Sequence, residues 1–187
     1  MSKKDDIIHT ALRLFNANSY NSVGVDRIIQ ESGVAKMTFY KYFPSKARLI
    51  EECLDQRNMN LQESLTASLD ACNENDFLGR IKAIYFWYSA WFHTDDFNGC
   101  MFQKAVEEVS KIYPSTIRPA LEYKEWLTST ILDLLQHLQI KKTASLANLL
   151  VSILDGMTMQ AQIDKDSVDI DEYWARVERL IEFERQM

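Results

Sequence analysis

Residues 33 to 46 read Gly-Val-Ala-Lys-Met-Thr-Phe-Tyr-Lys-Tyr-Phe-Pro-Ser-Lys. Lys36, Lys41 and Lys46 carry charge that can neutralise phosphate, and Thr38, Tyr40 and Tyr42 carry hydroxyls that can donate to phosphate oxygens. Contacts of that kind fix the register of a protein on a duplex and carry no sequence information. Reading of bases falls to Met37 and Lys41. A thioether has no strong hydrogen-bonding group, so Met37 is limited to apolar contact, for example with a thymine methyl.

Other reactive side chains form no recognisable constellation. His93 stands beside Asp95 and Asp96, but one histidine in a polar loop matches no zinc spacing. Cys53, Cys72 and Cys100 are odd in number and widely spaced, which gives neither a disulfide framework nor a metal knuckle. Free thiols fit a reducing cytoplasm, and no apolar leader or membrane-length run is visible. No Ser-His-Asp order and no Gly-rich phosphate loop occur. The expectation is a cytoplasmic protein off the membrane, with no catalytic residue, no metal and no cofactor.

Charge separates the lysine-tyrosine segment from the rest. Over residues 1–50 eight basic side chains (Lys3, Lys4, Arg13, Arg27, Lys36, Lys41, Lys46, Arg48) oppose four acidic ones, a net of +4 within a chain of net −6. The remainder carries 13 basic and 23 acidic residues, a net of −10. The first quarter is therefore the part expected to meet a polyanion.

The elements that must position this surface are helical. Five Gly and three Pro in 187 residues are too few for the turns of an all-β domain. Ile7, Ile8, Ala11, Leu12 and Phe15 recur at helical spacing and predict a helix over residues 4–17. A short helix Val25–Ser32 ends at Gly33, and a second, Lys36–Tyr42, follows after Gly33-Val34-Ala35. Phe39 and Phe43, four residues apart, share its inward face. Ser45 caps a long helix predicted over 46–72. Further helices are expected over 77–92, 99–112, 116–138 and 144–163, and from Ile170 to near the end. The sum is an all-α chain of about nine helices with no convincing strand.

Two short helices joined by a glycine-containing turn describe a helix-turn-helix, whose second helix enters the major groove while the first crosses the backbone. The stretches LRLFNANSYNSV and VDRIIQESGVAKMTFYKYFPSKARLI, followed by one long helix, resemble the N-terminal domain of the TetR family of transcriptional regulators. The resemblance covers roughly a quarter of the chain. It implies DNA contact by Gly24, Val25, Lys36, Met37, Thr38, Tyr40, Lys41, Tyr42 and Lys46. Three positions depart from the family pattern. Gly24 and Ala35 stand where the family usually has capping Ser or Thr, and Met37 stands where it usually has Gly. Those changes remove two phosphate ligands and place a bulky side chain near the bases.

The resemblance also implies a division into a helix-turn-helix domain over 1–48 and a helical regulatory and dimerisation domain over 49–187. In the family the C-terminal helices enclose a small molecule, and the residues suited to an apolar or aromatic ligand here are Tyr85, Tyr88, Trp91, Phe92, Met101, Phe102, Tyr123, Trp126 and Met157. Aromatics with polar tips, together with methionine, suit such a site, and the same pattern also suits ordinary core. The last two helices carry stripes fit for a two-fold interface: Leu150, Ile153 and Leu154 on one, Tyr173, Trp174, Val177, Leu180 and Ile181 on the other. Packing inside one chain would give the same stripes. A homodimer is what palindromic double-stranded DNA requires, with half-sites about 34–36 Å apart. The expected function is a repressor released from its operator by a small molecule. The alternatives are an adaptor whose head binds protein and an enzyme built on a helical bundle.

Overall fold

The computed structural model describes residues 2–187. Nine α-helices and no strand are found among the described residues. They are α1 (Lys3–Ala17), α2 (Val25–Ser32), α3 (Lys36–Tyr42), α4 (Lys46–Asp70), α5 (Phe77–Phe92), α6 (Met101–Glu108), α7 (Ile117–His137), α8 (Thr143–Ile163) and α9 (Ile170–Gln186), with short 3-10 turns at Pro114–Thr116 and Lys165–Ser167. Among the described residues no helix is long and apolar enough to cross a membrane.

The helix ends follow local chemistry. Ser2 and Asp5 cap α1 reciprocally, each side chain accepting from the other's backbone N–H. Gly33 closes α2 with φ of 66°, a left-handed conformation that a side chain would resist. The Ser45 hydroxyl accepts from the Arg48 amide and opens α4. Asp76 and Asp169 cap α5 and α9 in the same way. Such caps contribute about 1 kcal/mol each.

One element is shorter than its pattern predicts. The helix expected over 99–112 spans only Met101–Glu108. Gly99 sits at φ of 80°, outside helical space, with the Gln162 side chain filling the position its Cβ would take. At the other end the amides of Ile112 and Tyr113 both turn back to the Val109 carbonyl. Pro114 disfavours helical backbone at Tyr113.

The chain forms two compact units, Met1–Leu61 with Cys100–Tyr123, and Gln62–Gly99 with Lys124–Met187. The helices α4 and α7 each begin in the first unit and end in the second. In the first unit α1 packs on α2 and α3. Its core is Ile7, Leu14, Phe15, Tyr20, Ile28, Phe39, Phe43, Leu49 and Ile50, all closed to solvent. In the second unit α5 packs on α8 and α9 around Ile84, Tyr85, Phe92, Leu150, Leu154 and Trp174.

Candidate nucleic-acid interface

The seven residues of α3 are too few to hold a helix alone. Two aromatic anchors fix it. Phe39 and Phe43 are fully buried with ring centroids 5.9 Å apart, and Tyr40 meets the edge of Phe39 at 5.4 Å. Burying each aromatic side chain is worth roughly 1.5–3 kcal/mol, enough to hold a short helix on its support. With the anchors turned in, Lys36, Met37, Tyr40, Lys41 and Tyr42 face outward. Met37 is 82% exposed, the most open large apolar side chain of the head. Thr38 and Lys46 are half-buried, Gly24 is exposed and Val25 half-exposed.

Most of the other cations in the head are held in ion pairs. Arg13 and Arg27 both grip Glu31, at 2.6 and 2.7 Å, and hold its carboxyl below the usual carboxylate range. Lys4 reaches Glu52 at 3.0 Å, and Arg48 pairs with Glu51 and Glu52. Arg118 forks between Asp55 and Glu122. The outward face of α3 differs. Lys41 has no carboxylate partner among the described residues. Lys36 pairs with Asp26 at 3.2 Å, but both side chains lie open to solvent, where such a pair is worth little and is readily exchanged for phosphate. Asp26 is a neighbour that sequence spacing did not reveal, because it lies ten residues away on α2. Burial pushes the Lys46 ammonium below the usual lysine range, opposed by the charge of Glu108.

Neither Gly24 nor Ala35 supplies a side-chain cap. At Gly24 the backbone is extended (φ −77°, ψ 152°) and a Cβ would meet nothing within 4 Å. The space a capping serine needs is therefore open.

Helix α6 belongs to the same compact unit, and sequence reasoning gave it no role in the head. Lys104 donates to the carbonyls of Phe15 and Asn16, Glu108 accepts from the Ser19 hydroxyl, and Tyr20 donates to the Met101 carbonyl. The sequence signal was weak: a lysine and a glutamate four apart on a short helix that also carries Gln103 and Glu107.

Residues 7–53, the span of α1 to the start of α4, match the family model of bacterial regulatory proteins of the tetR family. The chain carries a TetR-family N-terminal domain. Its similarity to TetR-type and other helix-turn-helix regulators extends along the chain. An uncharacterized HTH-type transcriptional regulator, YxaF of Bacillus subtilis (strain 168), is 23% identical over 174 residues, 89% of this chain and 88% of that protein. The HTH-type transcriptional regulator LmrA of the same organism is 29% identical over 127 residues, 66% of each. The crystal structure of a TetR-family transcriptional regulator from Streptomyces coelicolor superposes with a TM-score of 0.81 at 24% identity, covering 98% of this chain and 94% of that one. That likeness extends the TetR fold to the C-terminal helices.

The nine residues expected at a ligand are divided between the two units. Met101, Phe102 and Tyr123 lie in the first unit, with the Phe102 and Tyr123 rings stacked at 4.8 Å. Tyr85, Tyr88, Trp91, Phe92, Trp126 and Met157 lie in the second. There Tyr85, Tyr88, Phe92 and Met157 are closed into the core, while Trp91 meets Phe97 edge-on at 4.9 Å. A cavity of about 640 Å³ opens beside them, and Phe92 alone of the nine lines it, with Phe97, Asp95, Gln162, Asp164 and Asp166. No cluster of three or more His, Cys, Asp or Glu side chains able to hold a metal occurs among the described residues.

The eight residues expected at a dimer contact are also redistributed. Leu150, Leu154, Trp174, Val177 and Ile181 are buried within the chain's own core and have no surface left to give. Ile153, Tyr173 and Leu180 are half-buried. The open side of α8 is formed by Leu149, Ser152, Gly156, Met159 and Ile163, with Ile163 85% exposed. On α9 it includes Phe183.

Proposed function

We propose that the chain is a homodimeric DNA-binding transcriptional regulator whose grip on its operator is released by a small molecule. The observation that carries this reading is the outward face of α3. Lys41 without a carboxylate, Lys36 in an exchangeable pair, two tyrosine hydroxyls and Met37 share one surface of a helix pinned from behind by Phe39 and Phe43. In the helix-turn-helix docking mode this face enters the major groove. Lys36, Lys41 and Lys46 neutralise phosphates, Thr38, Tyr40 and Tyr42 donate to them, and Gly24 and Val25 bring the start of α2 to the backbone. Met37 supplies apolar contact.

Two copies are needed to read a palindrome. The partner surface proposed is the open stripe of α8, with small residues Ser152 and Gly156 between Leu149, Met159 and Ile163, joined by Leu180 and Phe183 of α9. Ile153 and Tyr173 border it. The buried members of the expected set lie in the core of the second unit, where α8 and α9 each pack on α5.

The effector is proposed to be a small apolar or aromatic molecule taken up by the aromatic second unit. The proposed route of the response is α4, which like α7 begins in the first unit and ends in the second. A ligand shifts that equilibrium only through differential affinity, and moving it from 1:99 to 99:1 takes roughly 5.5 kcal/mol.

The test is fluorescence anisotropy of the purified protein against the duplex upstream of its own coding region, at several salt concentrations. The expected result is saturable binding whose logarithm falls linearly with log salt. Binding that ignores salt and duplex sequence alike overturns the regulator and leaves the protein-binding adaptor. Turnover of a candidate ligand would revive the enzyme.

A further inference from the structure

A helix end leaves its last four carbonyls without intrahelical donors. The end of α1 has a poor local remedy. Its last turn holds no basic residue, no glycine follows in left-handed conformation, and the C-cap Asn18 is extended. Asn18 satisfies the Leu14 carbonyl twice, through its backbone N–H at 3.0 Å and its Nδ2 at 2.9 Å. The carbonyls of Phe15 and Asn16 are met from another helix: Lys104 Nζ of α6 lies 3.4 and 2.9 Å from them. A cation at this end is also what the helix dipole favours.

The same face of α6 holds the turn that follows. Glu108 Oε2 accepts from Ser19 Oγ at 2.6 Å, and the Glu108 carbonyl accepts from Asn21 Nδ2 at 3.1 Å. Between them Tyr20, wholly buried, donates its hydroxyl to the Met101 carbonyl at 3.1 Å. Five hydrogen bonds thus run between one two-turn helix and the segment from Phe15 to Asn21. That segment leads directly into Gly24, where α2 begins, and α2 carries α3.

We infer that Lys104 and Glu108 are positioning residues for DNA recognition: α6 caps the end of α1 and clamps the turn before α2, and so sets the angle at which α3 is presented. The inference rests on the proposed DNA-binding function. Neither side chain belongs to the outward face of α3, so their effect on DNA runs through the α1–α2 turn.

The experiment uses the full-length protein. Lys104→Met, Glu108→Ala and the conservative Lys104→Arg are compared with wild type in two measurements: amide hydrogen exchange over residues 13–24, and anisotropy titration against the upstream duplex at several salt concentrations. Lys104→Met is expected to speed exchange in that segment and to weaken operator binding about tenfold, within the usual range of coupling between sites. Its salt slope should match wild type, because no phosphate contact is lost. Lys104→Arg keeps donors for both carbonyls and should bind within about twofold of wild type. Glu108→Ala should loosen the same segment and weaken binding even if Lys104→Met does not fold. Wild-type affinity in both Lys104→Met and Glu108→Ala overturns the inference. So does a salt slope smaller by one unit in Lys104→Met, which would make Lys104 a direct phosphate ligand. A wild type that binds no duplex overturns the regulator itself and the inference with it, whereas a binding wild type with unaltered variants removes the inference alone.

Discussion

Tyr85 on α5 donates its hydroxyl hydrogen to the backbone carbonyl of Leu150 on α8 at 3.0 Å, inside the second unit. The ring also meets Trp174 of α9 at 5.8 Å, so one side chain touches both helices that α5 packs against. Burial raises the phenol well above the usual tyrosine range, and the hydroxyl stays protonated as a donor. Replacing Tyr85 with Phe keeps the ring and removes the bond. The carbonyl keeps its helical partner, so the expected loss is about 1 kcal/mol of unfolding free energy, read as a lower urea midpoint at constant m-value.

The two missing caps are predicted to be repairable. Ala35→Ser offers an oxygen to the first amides of α3 and should stabilise the protein by about 1 kcal/mol, while Gly24→Ser should add only a few tenths. The open space at Gly24 makes the second change free of clashes. Each serine also restores a hydroxyl at the proposed backbone contact, so operator affinity measured by anisotropy should rise in both variants. A fall would show that the present residues avoid a collision with the duplex.

Met37 and Lys41 are expected to separate sequence choice from general affinity. Met37→Ala should leave stability within about 0.5 kcal/mol of wild type, since the side chain touches little of the protein. It should change which duplexes are enriched from a random pool. Lys41→Ala should weaken binding to all sequences alike and lower the salt slope by about one unit.

The three thiols should differ in reactivity. Burial pushes the Cys53 thiol far above the usual range, and its Sγ lies 4.0 Å from the Ile8 carbonyl. Thiolate is the reactive form, so Cys53 should be silent towards a disulfide reagent in the native protein. Cys72 and Cys100 are partly exposed and form no disulfide. A native titration at neutral pH should therefore count two thiols and a denatured one three.

On α8 the inward and outward faces are expected to respond in opposite ways. Leu150→Ala opens a core cavity and should cost about 2–5 kcal/mol of stability. Met159→Glu changes an exposed residue of the proposed partner surface and should leave the fold intact while shifting sedimentation from dimer to monomer. If Met159→Glu sediments as wild type, the two-fold contact lies elsewhere.

Much of this molecule is legible in its sequence, for reasons tied to particular residues. The bounds of α2 and α3 follow from Gly33, which needs a left-handed turn, and from Phe43-Pro44, where helical backbone stops. The outward set on α3 follows once Phe39 and Phe43 are turned inward. The stripes of α8 and α9 were visible too, but a stripe records only that a face is covered. Leu150, Leu154, Trp174, Val177 and Ile181 are covered by α5 and its neighbours in the same chain, and periodicity has no term for which chain supplies the cover. The short length of α6 was hidden because one limit involves a distant partner, Gln162 against Gly99, and the other a local turn in which Ile112 and Tyr113 reach back to the Val109 carbonyl. The long-range bonds of Lys104 and Glu108 were hidden because they span 87 to 89 residues of sequence.

The way α1 ends has a practical consequence for anyone who would borrow this head. A fragment cut after Leu61 would leave the Phe15 and Asn16 carbonyls to water and deprive the Tyr20 hydroxyl of its acceptor. The first three helices are thus not a portable cassette. Grafted onto a foreign body without residues 100–123, they would fray where α1 hands over to α2, and a chimaera meant to keep this operator preference must bring that second segment along.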